Sequence, residues 1–211
     1  MDLPSFNKLP IMGILRGVNP KIVDPLIETI VSSGLKTIEF ALNTPDAVLT
    51  LSRAVKISKK HLTVGAGTVL TMDSLKLALD NGARFIVMPT LVKGIVEHCV
   101  KKSIPVFPGA LTPQEIHNAW TAGAAMVKVF PAKFFGPDYF KEIKGPFRDI
   151  KLLACGGVTS ENIKLFFKSG ASAVAFGGSI FKKEWLERRE FSRIEEAIKE
   201  LISKTGEKKN G

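Results

Sequence analysis

Two charged residues stand in runs that are otherwise largely apolar. Lys128 lies in Ala124-Ala125-Met126-Val127-Lys128-Val129-Phe130-Pro131, and Glu39 in Lys36-Thr37-Ile38-Glu39-Phe40-Ala41-Leu42. Such runs read as strands covered on both faces, where an ion is costly unless it is paired or neutralised. Burial favours the neutral form of a lysine, and a neutral amine attacks a ketone carbon to give a Schiff base. A carboxyl group on a separate strand would supply the proton transfers that such chemistry needs. The same residues also admit a structural reading, in which each snorkels outward or joins an ion pair. Their equivalent placement in a repeat favours imine chemistry.

That repeat sets out the elements that must position them. A small residue and a glycine precede an apolar stretch four times: Ser33-Gly34 before residues 35–42, Asn81-Gly82 before 83–88, Ala122-Gly123 before 124–130, and Ser169-Gly170 before 171–176. The glycines are 48, 41 and 47 residues apart, and each interval holds one further strand candidate, at 62–65, 104–107 and 150–155. Residues 11–15 form another, ahead of the first glycine. Amphipathic segments such as 21–33, 47–59 and 159–168 separate these strands. Each glycine is expected to end a helix in a left-handed cap. Pro20, Pro45, Pro113 and Pro137 are expected near helix starts, where a missing N–H does no harm. Eight alternating strands and helices predict a compact (β/α)₈ TIM barrel, with an open doubly wound sheet as the alternative.

In such a barrel the C-terminal strand ends line the active site. Glu39 and Lys128 fall near the ends of the second and sixth strands, so both can face one mouth. The seventh strand runs into Cys155-Gly156-Gly157-Val158-Thr159-Ser160-Glu161-Asn162, and the eighth ends in Phe176-Gly177-Gly178-Ser179-Ile180, a second turn expected to open a short helical segment. Two glycine-rich turns after the last two strands match the usual phosphate site of this fold. Thr159 or Ser160 would serve equally as a plain helix cap. Gly65-Ala66-Gly67-Thr68-Val69 reads either as a tight turn or as a means of placing the Thr68 hydroxyl at the mouth. Arg16 is a candidate clamp for a carboxylate, or a rim arginine in solvent. Phe107-Pro108-Gly109 and Phe130-Pro131 read as rigid strand ends that wall the pocket.

Composition narrows the classes. The chain has 211 residues, 45% of them hydrophobic, and no linker or low-complexity tract that would divide it, so a single domain over 1–211 is expected, with a polar end at about 204–211. The net charge of +10 invites nucleic acid. Its cations are scattered through predicted helices, however, and nearly as many Glu accompany the basic segment 182–211; no nucleic-acid partner is expected. Apolar runs are too short for a membrane span and the N-terminus lacks a signal-peptide pattern, so a cytoplasmic protein with no membrane partner is expected. Cys99 and Cys155 form no metal or redox spacing and read as reduced thiols. His61, His98 and His117 show no ligand spacing, so no metal is expected. No Ser-His-Asp arrangement or Walker-type loop can be assembled.

The phrases Ile14-Leu15-Arg16-Gly17, Ile38-Glu39-Phe40, Gly65-Ala66-Gly67-Thr68-Val69, Phe107-Pro108-Gly109, Val127-Lys128-Val129-Phe130-Pro131-Ala132, Gly145-Pro146-Phe147 and Gly156-Gly157-Val158 follow one another over residues 11–180. Together, in this order, they resemble the class I 2-keto-3-deoxy-6-phosphogluconate (KDPG) / 4-hydroxy-2-oxoglutarate aldolase family. The resemblance implies a barrel, usually a homotrimer, with no metal or organic cofactor. It implies Lys128 as Schiff-base lysine and Glu39 as general acid/base. Arg16 and Thr68 would bind the pyruvyl carboxylate end, Asn43, Pro89 and Phe130 would shape the substrate pocket, and Gly156, Gly157, Gly177, Gly178 and Ser179 would hold phosphate. The implied reaction cleaves KDPG to pyruvate and glyceraldehyde 3-phosphate, with 4-hydroxy-2-oxoglutarate as a further substrate. Asn43 departs from the Arg that many phosphogluconate-branch members carry. Leu42-Asn43-Thr44-Pro45 and Phe135-Gly136-Pro137 resemble the 2-keto-3-deoxy-6-phosphogalactonate aldolases, whereas Pro108-Gly109-Ala110-Leu111-Thr112-Pro113-Gln114-Glu115 resembles the phosphogluconate branch. A phosphate-binding barrel isomerase or decarboxylase, with Lys128 as a proton carrier and no covalent imine, is the rival from another class.

Overall fold

Neighbouring residues of a strand face opposite ways, and in this chain the alternation separates two cores. A computed structural model describes residues 1–205. Its strands are β1 (Ile11–Leu15), β2 (Thr37–Ala41), β3 (Thr63–Gly67), β4 (Ile86–Val87), β5 (Val106–Phe107), β6 (Gly109–Ala110), β7 (Val127–Val129), β8 (Leu152–Cys155) and β9 (Ala173–Phe176). The helices are α1 (Leu3–Lys8), α2 (Val23–Ser32), α3 (Ala47–Ser58), α4 (Met72–Asp80), α5 (Lys93–Lys101), α6 (Pro113–Thr121), α7 (Gly136–Lys144), α8 (Ile163–Lys168), α9 (Lys183–Glu187) and α10 (Phe191–Ser203). None of them is long and apolar enough to cross a membrane. Of the expected polar end, Lys204 and Thr205 form a turn after α10, and 206–211 lie outside the described residues.

All strand pairs are parallel, in the order β5-β4-β3-β2-β1-β9-β8-β7-β6. β5 and β6 are two halves of one stave, parted by Pro108, which has no N–H to give a ladder. Its carbonyl still accepts from Lys128 N at 2.9 Å, and Val106 O accepts from Ala125 N at 2.9 Å. On the other side Val106 pairs with Ile86 and Phe107 with Val87. One stave thus bonds to both neighbours and closes the sheet, giving the expected eight-staved barrel rather than the open alternative.

The glycine stops are where the repeat puts them. Gly34, Gly82, Gly123 and Gly170 have φ of 88°, 90°, 102° and 96°, each one residue past a helix C-cap. Pro113 opens α6, where Thr112 and Glu115 form a reciprocal capping box. Pro137 is the second residue of α7, Pro20 opens a 3-10 turn ahead of α2, and Pro45 lies two residues before α3.

One parity of each strand packs outward against the helices: Ile11 and Leu15, Ile38 and Phe40, Val127 and Val129, Leu152 and Ala154. The other parity fills the barrel, where Met12, Phe85, Phe107, Met126, Leu153 and Ala173 form an apolar floor. Phe6 of α1 closes that floor from the N-terminal end, its ring 6.2 Å from Phe107, which in turn meets Phe85 edge-on at 5.8 Å. Two backbone approaches leave no room for a side chain. A Cβ on Gly65 would fall 2.4 Å from the Phe85 ring, and one on Gly109 would fall 2.1 Å from the Pro89 carbonyl oxygen. Gly65 pairs with Glu39, and Gly109 with Lys128. The two charged residues therefore share the inward parity and stand on top of a sealed apolar floor.

Candidate active site

β2 and β7 are opposite staves of the ring, so Glu39 and Lys128 approach one another across the barrel. Both are buried, at 2% and 7% exposure. Burial pushes the Glu39 carboxyl above its ordinary 4.5, and the charges of Lys128 and Arg16 offset only part of that rise. Its Oε2 is buried without a hydrogen-bond partner among the described residues. An unpartnered buried oxygen is rare in a folded protein and calls for a role. Room for this carboxyl is made by Gly67 on the adjacent stave, where a Cβ would fall 2.6 Å from Glu39 Oε1. Lys128 Nζ lies 5.2 Å from the centroid of the Phe130 ring. That ring is 41% exposed, so it walls the passage from the buried pair to solvent. A carboxyl whose pKa is raised by burial, coupled to an amine, is equipped to exchange protons during addition to a carbonyl.

Above the pair, the strand ends carry polar groups. Arg16, just past β1, is exposed but not loose: its Nη1 donates to Asn43 Oδ1 at 2.6 Å and its Nη2 to Thr68 Oγ1 at 3.5 Å. Thr68 holds a left-handed φ of 58°, a strained backbone that turns its hydroxyl toward this cluster. The phrase around it is not a turn after a strand ending at 65, because β3 continues to Gly67 and both of its glycines clear space for neighbouring side chains. Pro89 reaches the same level through its carbonyl, which abuts Gly109.

The glycine-rich turns come together at the ends of β8 and β9. Gly156 and Gly157 have φ of 99° and 77°, and Gly157 packs so closely on Lys133 that a Cβ would fall 2.5 Å from that residue's Cβ. Ser179 Oγ donates to Val158 O at 2.8 Å and ties the two turns together. The amides of Gly157, Gly178 and Ser179 meet no protein acceptor among the described residues. Gly178 has open space on its Cβ side, and Gly177 touches Ile14 of β1. Two details differ from expectation. The helix after the first turn starts at Ile163 rather than 159, because Asn162 Oδ1 takes the Thr159 amide and Asn162 Nδ2 donates to Gly157 O, which folds 159–162 into a cap of its own. The second turn opens no helix directly: Ile180 N and Phe181 N both donate to Gly177 O, and α9 begins only at Lys183.

The KDPG and KHG aldolase family model matches residues 4–197 of the chain. A probable 2-dehydro-3-deoxy-6-phosphogalactonate aldolase of Rhizobium meliloti is 32% identical over 183 residues, 86% of each chain. A 2-dehydro-3-deoxy-phosphogluconate aldolase of Haemophilus influenzae is 29% identical over 202 residues, covering 95% of this chain and 94% of its own. The chain belongs to the KDPG and KHG aldolase family. It is a carbon–carbon lyase of the class I type. The solved structure of a KDPG aldolase from Legionella pneumophila, holding pyruvate as a covalent carbinolamine, superposes with a TM-score of 0.86 at 26% identity, over 93% of this chain and 95% of that one.

In this aldolase one residue of the mouth escaped the sequence reading. Cys155, the last residue of β8, is 3% exposed and lies against the Lys128 amine, within electrostatic reach of Glu39 and Arg16. Burial pushes its thiol up to about 11, so it stays protonated. Its signal in the sequence was parity: it is two residues beyond Leu153 on the face that carries the inner core. Cys99 is buried among outer apolar residues, its thiol also raised to about 11 by burial. The three histidines stay away from the mouth, on α5, on α6 and in the turn after α3, and no group of metal-ligating side chains forms among the described residues.

Proposed function

We propose that this aldolase cleaves a phosphorylated 2-keto-3-deoxy sugar acid to pyruvate and glyceraldehyde 3-phosphate through an imine on Lys128. The observation that carries this reading is the buried lysine facing a raised, unpartnered carboxyl in the mouth of a class I aldolase barrel. The deprotonated Lys128 amine adds to the C2 ketone, and Glu39 protonates the departing hydroxyl, so that water leaves and a cationic imine remains. Glu39, now a carboxylate, takes the proton of the C4 hydroxyl, directly or through a water. The C3–C4 bond breaks, its electron pair moves into the imine, and the aldehyde departs. Protonation of the enamine at C3 and hydrolysis of the imine return pyruvate and free Lys128. Arg16 and Thr68 would hold the carboxylate, with Pro89 and Phe130 flanking the chain of the substrate. Gly156, Gly157, Gly177, Gly178 and Ser179 would hold the phosphate, remote from the breaking bond, where binding energy orients the reacting carbons.

Within this class Asn43 in Leu42-Asn43-Thr44-Pro45, and the 32% identity to a phosphogalactonate enzyme against 29% to a phosphogluconate one, favour the galactonate epimer. The phrase 108–115 favours the gluconate epimer as second reading, and unphosphorylated 4-hydroxy-2-oxoglutarate is the third. Borohydride reduction in the presence of pyruvate is expected to add the pyruvyl mass to Lys128, read by peptide mass spectrometry. An unlabelled Lys128 would sink the imine and leave the non-covalent isomerase or decarboxylase. Among the three substrates, kcat/KM is expected to be highest for the galactonate epimer; a higher value for the gluconate epimer reverses the order.

We also infer a homotrimer, on the family resemblance and on Phe134 and Phe135, two exposed phenylalanines between β7 and α7 that a partner would cover. Light scattering should then return three times the 23.0 kDa chain mass. A monomer at micromolar concentration would refute it.

A further inference from the structure

Asn43 stands at the mouth, and its position invites a direct role on substrate. The hydrogen bonds point elsewhere. Its Oδ1 takes the 2.6 Å bond from Arg16 Nη1, the shorter of the two bonds that hold that guanidinium. Asn43 is itself on a fixed base. The β2 ladder runs on through Leu42 N to Gly67 O at 2.8 Å, and Thr44 Oγ1 donates to Ala41 O at 3.0 Å while accepting from Gly17 N at 3.4 Å. The residue that holds Arg16 and the residue that holds the backbone after Arg16 are therefore neighbours on one pinned turn.

Arg16 needs such support. It follows the last residue of β1, its side chain is exposed, and the chain leaves the strand at Gly17, whose φ is 63°. A long cation on such a segment loses considerable rotamer freedom when it is fixed for a bidentate contact. Without Asn43 its remaining side-chain partner would be Thr68, at 3.5 Å, the outer limit of a hydrogen bond. A neutral amide acceptor fixes the guanidinium without cancelling its charge, whereas a carboxylate at the same place would compete with the ligand.

We propose that Asn43 is a positioning residue: it orients Arg16 for the carboxylate of a 2-oxo acid and does not itself bind that acid. This rests on the reading of Arg16 as the carboxylate clamp and of Lys128 as the imine lysine. Its consequence is a selective effect on ground-state binding, with the chemistry at Lys128 left in place.

The test uses pyruvate and borohydride on the full chain, reading the pyruvate concentration that half-saturates labelling of Lys128 and the labelling rate at saturation. Asn43→Ala is expected to raise the half-saturating concentration about tenfold, the scale of one hydrogen bond to a charged group, with the saturated rate within about twofold to threefold. Arg16→Met raises it further, and Asn43→Ala added to Arg16→Met changes nothing more, because the orienting bond is already lost. A further rise in the double variant would show that Asn43 acts on pyruvate directly and overturns the proposal, as does an unchanged value in the single variant. Asn43→Ser, too short to reach Arg16 but polar, repeats the test should the alanine variant fail to fold. Absence of labelling in the unmodified chain overturns the imine reading, and this inference falls with it.

Discussion

Lys128→Ala is expected to lose aldol cleavage by on the order of 10⁵-fold or more, the scale on which removal of a covalent nucleophile is felt, while the barrel remains folded. The loss is large because the side chains coupled to Lys128 in the barrel, Arg16, Glu39 and Cys155, cannot form the imine in its place. Arg16 carries a delocalised guanidinium, which does not add to a ketone. Cys155 lies beside the amine, but its protonated thiol can give at most a hemithioketal, which offers no cationic sink for the C3–C4 electrons. Glu39 would remain to assist, and proton transfer by itself is worth only about 10²–10⁴-fold. The fold survives because the Lys128 side chain takes no part in closing the barrel: its backbone amide bonds Pro108 O, and its register with Gly109 and Leu153 is a main-chain property. The Glu39 carboxyl, left without the influence of Lys128, is already raised by burial and is free to take a proton. Turnover of the substrate, followed by pyruvate release, and far-ultraviolet circular dichroism check the two halves. Cleavage within about tenfold of the parent would remove Lys128 from the imine role, since no covalent nucleophile is so dispensable.

The pairing of this lysine with Glu39 was legible because the fold announces itself in period and punctuation. Four glycines after helix ends, and proline near helix starts, give the alternation of strand and helix, and eight short apolar strands leave few ways to bury both faces. What the runs do not announce is which parity faces the barrel. Val127 and Val129 are as apolar as Met126, and only the closed ring decides that the even residue Lys128 joins Met126 inside while the valines meet helices. Cys155 was missed for that reason: it is a small apolar-looking residue until the ring places it against the amine. Pro108 hid a continuing stave, since a strand that gives up one donor still bonds through its carbonyl. The plug at Phe6 was equally silent, because a six-residue helix carries too little periodicity to be read. The start of α8 was misplaced because Thr159, Ser160 and Asn162 are all competent caps, and the choice among them is made by the turn before them, where Gly157 O accepts from Asn162.

These particulars share a cause. The lower half of the barrel is filled by phenylalanine rings, and two glycines exist to let those rings and the Pro89 carbonyl approach. The upper half is polar, and its polar groups are arranged to be incompletely satisfied: Glu39 Oε2 has no donor and the amides of Gly157, Gly178 and Ser179 have no acceptor among the described residues. A packed floor holds an under-satisfied site at fixed geometry, which is how stability spent locally becomes positioning.

Glu39→Gln makes that trade measurable, because the same substitution is expected to slow the enzyme and stabilise it. On activity, the amide can neither protonate the departing C2 hydroxyl nor accept the C4 hydroxyl proton, so imine formation and cleavage should both slow, by about 10²–10⁴-fold in kcat, less whatever a water restores. On stability, Glu39 acts in the opposite sense to a salt-bridged surface carboxylate. The folded protein holds its pKa above the ordinary 4.5 of the unfolded chain. Between those two values the folded state binds the extra proton. Stability therefore falls as pH rises through that window and stays lower above it. Attraction to Lys128 and Arg16 is already counted in that direction, since desolvation outweighs both. An amide of nearly the same shape carries no such penalty. The variant is accordingly expected to unfold at a higher temperature than the parent at about pH 8, and the difference should close as pH drops below about 4.5, where the parent carboxyl is protonated in both states. Thermal unfolding across pH, beside kcat for each protein, checks both signs. A variant that is less stable than the parent at about pH 8 would mean that Glu39 holds Lys128 in place as a structural ion pair, with its charge favoured by the fold instead of tolerated for catalysis.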